Sequence, residues 1–433
     1  MNRPSLVLVP QYFGALLFDR RTSRYLPFDR PAAGMLRNLI ARPAGEVIAA
    51  ADSDDRDAVE GLVAFLDARG FLRLDGRLAA VRIDREPPAD HLLGPLAAHL
   101  EVIGACNLTC THCFAGPLPR NHHPLALAEM DTLFADLAGL GSFRLGLTGG
   151  EPLLRKDLLE ILDAATGRGL HPCLTTNALL IDEAIARDLG RRDLVWLNVS
   201  LEGARAETND AVRGAGVFDR VVEKLALLGR HARFTLAFTL MRHNLAEVEA
   251  CAALARSVGA HTAVFRPLYP VGVAVHAPEL MPTFEGYVDA LARLGRAEVA
   301  GDGDLFAIDP FSPSAREDLR GVVAPAASCG AATTVASISV QGDVSPCSFL
   351  GPAFEAGNVR AHPFEEIWRA GHAFRRLRAP KAGDRFGGGC RARAQFHAGS
   401  AFAEDPWQAR HEGRPAGTRR LPICQDDGGP TCR

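Results

Sequence analysis

From residue 93 to about 271 the chain alternates short apolar runs with helix-length amphipathic stretches six times, and this alternation limits the fold more tightly than any other feature of its 433 residues. The strand candidates are 99–104, 143–147, 171–176, 194–201, 234–240 and 261–266. Between them, stretches such as 125–140 and 245–258 repeat apolar residues at helical period. Strands separated by helices run parallel, and six such units curl into a partial (β/α)6 barrel of the α/β class. In a barrel of this kind chemistry gathers at the C-terminal ends of the strands, where several loops converge. The residues just past the strand ends are therefore the ones to read for function.

Past the first strand stand Cys106, Cys110 and Cys113, in the run CNLTCTHC. Three thiolates at CxxxCxxC spacing can hold three irons of a [4Fe–4S] cube and leave the fourth open to a chelating small molecule. A zinc site would need a fourth ligand nearby, and plain core thiols would need no such spacing. Past the second strand, Gly149 and Gly150 permit close backbone approach to a ligand, and Glu151 offers a carboxylate to a cation. Past the third comes Thr175-Thr176-Asn177, and past the fourth Ser200-Leu201-Glu202-Gly203, followed by Asn209 to Gly214 with Arg213 inside it. Singly these are turn or cap residues. Together, all on strand ends, they make a site.

The set resembles the motifs of the radical S-adenosylmethionine (SAM) enzymes: the cysteine signature, then GGEP, TTN and SLDG motifs and an NDxxRG stretch. The resemblance implies that Cys106, Cys110 and Cys113 carry the catalytic cluster and that SAM chelates its open iron. One electron then releases a 5′-deoxyadenosyl radical. It places Gly149, Gly150 and Glu151 by the methionine amino group, Asn177 near the ligand, Ser200 and Glu202 by the ribose, and Arg213 at the SAM carboxylate. Glu202 stands where the family has aspartate, which shifts its oxygens by about a bond length.

Residues 1–78 read as a separate domain, with strands at 6–9, 14–18 and 24–28, helices at 32–41, 44–51 and 57–70, and a closing strand at 71–74. Hairpin, helices and final strand make a winged-helix-like module. The pattern resembles the leader-recognition domain of ribosomally made, modified peptides, also known as the peptide chaperone of pyrroloquinoline quinone biosynthesis. That family adds the leader peptide as an extra strand at the hairpin edge. Residues 79–92, with Glu86-Pro87-Pro88, read as a linker, and 93–300 as the barrel.

Residues 301–433 are loop-rich and carry Cys329, Cys347 and Cys390. This segment resembles the SPASM extension of peptide-modifying radical SAM enzymes, which normally holds two auxiliary clusters. Here its CxxCx5C block is missing around Lys381 to Gly388, and Trp407 stands near the place of the last cysteine. The resemblance implies one auxiliary iron–sulfur cluster on Cys329, Cys347 and Cys390, as in the shorter twitch variant. Its fourth ligand stays open among Cys424, Cys432, another side chain and substrate. Cys173 and Cys251 read as core thiols.

Across 207–219 and 329–368 the nearest family resemblance is to mycofactocin-type peptide maturases. It implies a radical SAM oxidoreductase that abstracts hydrogen from a precursor peptide, giving a crosslink, thioether or oxidative decarboxylation, with a flavodoxin or ferredoxin as reductant. Tetrapyrrole side-chain chemistry is the rival enzyme reading, because haem-biosynthesis members share the run at 389–394. A non-catalytic iron–sulfur sensor is the rival from another class. Its DNA contact is opposed by the acidic run Asp52-Ser53-Asp54-Asp55 and a net charge of −3. No apolar run reaches the roughly 18 residues of a membrane span. Ten cysteines in so long a chain make no disulfide framework, and three at cluster spacing point to the reducing cytoplasm.

Overall fold

The computed structural model describes residues 4–115, 123–299, 306–308, 329–379 and 381–408. Four strands form an N-terminal sheet: β1 (Leu6–Gln11), β2 (Gly14–Asp19), β3 (Arg24–Asp29) and β4 (Ala80–Arg82), in the order β3-β2-β1-β4. Period-2 alternation divides this sheet between two cores. Leu6, Leu8, Ala15, Leu17 and Phe28 pack on the domain's own helices, Arg30–Ala41, Ala44–Ala49 and Ser53–Asp67. Val7, Val9, Leu16, Phe18 and Tyr25 join the core of the barrel.

The closing strand expected at 71–74 is instead half of a tight turn. Gly76 adopts φ +79°, the Arg73 amide donates to the Arg77 carbonyl, and only an isolated bridge joins Leu72 to Leu78. The chain then enters the sheet later, as β4, parallel to β1. Residues 80–82, read as linker, are thus a strand of this sheet.

The six expected strands are β5 (Ala97–Ile103), β6 (Arg144–Gly149), β7 (His171–Thr176), β8 (Trp196–Ser200), β9 (Thr235–Leu240) and β10 (Thr262–Pro267), all parallel to their neighbours. The sheet extends further than six strands. β11 (Phe306–Ile308) adds to β10, and on the other side β12 (Val335–Ile338) pairs parallel with β5 and continues into β13 (Asp343–Ser345) and β14 (Gly357–Asn358). The result is one open ten-stranded sheet rather than a closed barrel.

The N-terminal sheet docks on this scaffold through Phe18, stacked 4.6 Å from Phe143, and through the Tyr25 hydroxyl. That hydroxyl donates toward the carbonyls of Leu96 (3.2 Å) and Gly141 (2.9 Å) and accepts from the Phe143 amide (2.7 Å). Burial holds the phenol well above its ordinary pKa, so it stays a donor. At the C-terminal side the Trp368 indole donates to the Leu92 carbonyl at 2.9 Å under the Arg378 guanidinium.

Candidate functional site

β5 ends in the loop that carries Cys106, Cys110 and Cys113, and the end of β6 is pressed against the start of that loop. The Gly150 amide donates to the Ile103 carbonyl (2.7 Å) and the Glu151 amide to the Ala105 carbonyl (2.9 Å). A Cβ on Gly149 would lie 2.2 Å from the Ile103 oxygen, and one on Gly150 2.1 Å from the Ala105 oxygen. Both glycines therefore admit the chain's own backbone, where the sequence pointed to a ligand. The reason is a register shift at Glu101–Ile103 that draws β5 across β6.

Glu151 is buried, and its carboxylate accepts from the Thr176 hydroxyl (2.6 Å) and the amides of Asn177 (2.7 Å) and Leu153 (3.0 Å). Burial raises its pKa against those bonds. Asn177 donates its amide to Asn107 Oδ1 at 2.7 Å and accepts from the Leu179 amide, tying the end of β7 to the cysteine loop.

Glu202 sits past β8 with its carboxylate engaged by the protein itself. Oε1 meets His112 Nε2 at 3.1 Å and the Arg213 guanidinium at 2.9 Å, and Oε2 accepts from the Thr239 amide at 2.7 Å. Burial opposes its charge, but His112 and Arg213 outweigh burial and hold the carboxyl at about 2. Three of its roughly four lone-pair directions are used. A ribose contact would rest on the one that remains. Ser200, half-buried at the end of β8, lies beside this network.

The cysteine loop fits the group its spacing implies. Cys106 is exposed, while Cys110 and Cys113 are partly buried. Burial pushes the Cys110 thiol up to about 11, with the nearby Arg213 pulling the other way. Metal binding replaces thiol protons, and a neighbouring guanidinium favours the thiolates that result. Arg213 Nε and His112 Nδ1 are buried without a partner among the described residues, leaving donor and acceptor capacity at this spot. Among the described residues no three His, Cys, Asp or Glu side chains converge on a single metal ion.

In the extension, Cys329, Cys347 and Cys390 come from three separate segments and lie near enough for their thiols to raise one another's pKa, without converging on one point. Burial pushes Cys347 up to about 12, with the Cys329 thiol adding to it, and Cys390 is raised by burial and by both other thiols. Beside them Arg393 and Asp405 form a buried two-pronged ion pair, 2.8 Å at each prong, and Asp405 also accepts from the amides of Cys390 and Trp407. Trp407 stacks on Tyr287 at 5.3 Å and lies under the Arg393 guanidinium. Cys424 and Cys432 lie outside the described residues.

The sequence reading missed the interior of the barrel. His99 and Glu101 on β5, Cys173 and Thr175 on β7, Asn198 on β8 and Arg266 on β10 occupy the strand positions that alternate with the helix-facing core. Burial, then Arg266, lowers the His99 pKa, and burial raises that of Glu101. Cys173 faces this interior, where burial pushes its thiol up to about 11, and Cys251 is buried in the helix-facing core. The available signal was the recurrence of polar residues at alternate positions, such as His99 and Glu101, or Asn198 and Ser200.

Residues 100–255 match the family model of the radical SAM superfamily, and 329–392 match that of the SPASM iron–sulfur cluster-binding domain. The mycofactocin maturase MftC of Mycobacterium ulcerans is 33% identical over 74% of this chain and 90% of its own length. The AdoMet-dependent heme synthase of Methanosarcina barkeri is 30% identical over 71% of this chain and 94% of its own. In fold, the chain is similar to Streptococcus suis SuiB bound to precursor peptide SuiA, with a TM-score of 0.67 and 15% identity, over 88% of this chain and 91% of that one. The chain belongs to the radical SAM superfamily. A [4Fe–4S] cluster, SAM and auxiliary iron–sulfur binding in the extension follow from that membership.

Proposed function

We propose that the chain is a maturase that modifies a ribosomally made precursor peptide, binding the leader along β3. The observation that carries this reading is the open edge of β3 in a sheet docked on the barrel. An edge strand offers unpaired amides and carbonyls to an added peptide strand, and Pro27 is tolerated there because its missing donor faces no partner. Phe65, partly exposed and packed 6.2 Å from the buried Phe28 of β3, supplies an apolar surface beside the edge. An 88% coverage by the SuiB fold requires the likeness to reach into the first 92 residues, which supports the same reading.

When bound, cluster and SAM supply the hydrogen-abstracting radical. Cys106, Cys110 and Cys113 hold the metal, and Glu151 keeps one lone pair of Oε2 for a cationic amine. Asn177 and the two glycines fix the loop, and Arg213 offers its unpaired Nε to an anion. Ser200 and Glu202 border the sugar. Cys329, Cys347 and Cys390 hold one auxiliary cluster, and the Arg393–Asp405 pair with Trp407 packs the space around Cys390 with protein alone. A flavodoxin or ferredoxin serves as reductant. Among the described residues no helix is long and apolar enough to cross a membrane.

The test is anaerobic incubation with dithionite, SAM and peptides encoded by short neighbouring reading frames. 5′-Deoxyadenosine and a mass change in one peptide are expected, and both vanish in Cys106→Ala. Phe65→Asp weakens peptide binding at least about tenfold while leaving 5′-deoxyadenosine formation without peptide intact. The match to the heme synthase favours a tetrapyrrole as the second reading. A mass change in an added porphyrin, with none in any peptide, would establish it.

A further inference from the structure

At the end of the N-terminal sheet where the β1–β2 hairpin turns and β3 runs into its helix lies a cavity of about 340 Å3, lined by Arg30, Arg37, Arg82 and Arg85 with Glu86 as its one acid. Four guanidinium groups around one carboxylate in a chain of net charge −3 are a local concentration of positive charge that composition does not explain. Fold geometry produces it. Arg30 and Arg37 lie on one stripe of the helix Arg30–Ala41, separated by the buried Ala33. Arg82 ends β4, and Arg85 follows one turn of extended chain later.

Two of the four are already committed. Arg30 donates to the Tyr12 carbonyl at 3.0 Å, and Arg85 pairs with Glu365 at 2.5 Å. Arg37 and Arg82 are exposed and make no hydrogen bond or ion pair among the described residues. Planar guanidinium forks of this kind match carboxylates.

The cavity's position limits what can fill it. Gly14, which lines it, is the register partner of Asp29 at the end of β3. Neighbouring strands lie about 4.8 Å apart, so a peptide added outside β3 lies roughly 14 Å from β1 and roughly 19 Å from β4, a span of about four to six extended residues. A peptide strand on β3 therefore reaches the cavity with the residues flanking it at the Asp29 end.

We propose that this cavity binds an acidic segment of the precursor peptide, its carboxylates forking onto Arg37 and Arg82. The identity of the occupant rests on the maturase reading; the acidic chemistry rests on the cavity. Exposed ion pairs are individually weak and screened by salt, so the contribution comes from several pairs acting together.

The experiment uses the full chain and a fluorescein-labelled octaglutamate peptide, with octaglutamine as control and pyrophosphate as competitor. Octaglutamate binds at low salt, octaglutamine does not, and the double variant Arg37→Glu, Arg82→Glu weakens binding at least tenfold. Arg37→Gln, Arg82→Gln gives an intermediate loss. Both variants keep the wild-type circular dichroism and peptide-independent 5′-deoxyadenosine yield, since both side chains are exposed and far from the cysteine loop. Equal binding of octaglutamine, unchanged affinity in the double variant, or displacement by less pyrophosphate than octaglutamate overturns the proposal. Failure of the maturase reading shows separately, as wild-type peptide affinity in Phe65→Asp with octaglutamate binding untouched.

Discussion

Cys106, Cys110 and Cys113 lie within one strand-end loop, whereas Cys329, Cys347 and Cys390 are brought together from before β12, after β13 and the start of the helix Arg391–Ala398. The first trio is pre-gathered by the chain, and the protein's effort goes into fixing the loop with buried carboxylates: Glu151 through Thr176 and Asn177, Glu202 through His112 and Arg213. The second trio depends on the folding of the extension, and one buried ion pair, Arg393–Asp405, stands beside Cys390. The lesson is that a local motif needs orientation, while a dispersed one needs stability.

The largest effect expected from this contrast is in Arg393→Met. It strands the buried Asp405 and should destabilise the extension by about 3–5 kcal/mol. Denaturation followed by tryptophan fluorescence reads the loss, and iron bound through the extension disappears while cluster binding at the barrel loop survives. Equal loss at both sites would erase the distinction.

Next is Glu202→Gln, which keeps the shape but removes the charge facing Arg213, at a cost of about 1.5–3 kcal/mol. Hydrogen exchange should quicken at residues 106–113 and stay unchanged around Cys390. Gly150→Ala forces a Cβ onto the Ala105 carbonyl and should cost about 1–3 kcal/mol, seen as a lower melting temperature with the extension unaffected.

The smallest effect is kinetic. In metal-free protein the thiolate is the reactive form, so alkylation follows the thiol pKa. Exposed Cys106 should react first, Cys110 later because its pKa is about 11, and Cys347 later still at about 12. Raising the pH from 8 to 9 increases the thiolate fraction of Cys110 and Cys347 about tenfold, since both lie well below half-ionisation there. Mass spectrometry of the labelled peptides reads the order, and Cys347 reacting before Cys110 would contradict it.

The barrel was legible because each strand was flanked by helices whose apolar period is unambiguous, and the cysteine loop because its three thiols are adjacent in sequence. What was not legible follows physical lines. The strand expected at 71–74 failed because the Gly76 turn claims Arg73 and Arg77, and no local signal marks β4, three residues long and held only by β1. The role of Glu202 depends on Thr239, a residue from the next strand, and on His112 inside the cysteine motif. At the β6 end, the closeness of Gly149 and Gly150 to the backbone of the cysteine loop depends on the shift at Glu101–Ile103, which no local pattern marks.

The pairing of β12 with β5 has a further consequence, in time rather than in space. Val335 to Ile338 continue the barrel sheet through four register positions with Ala97 to Leu100, so no hinge separates extension from barrel along this seam. Domain rotation, a microsecond-to-millisecond motion, is closed to a molecule built this way unless it unzips that ladder. Loop and side-chain motions, which run in nanoseconds to microseconds, break no rung of that ladder.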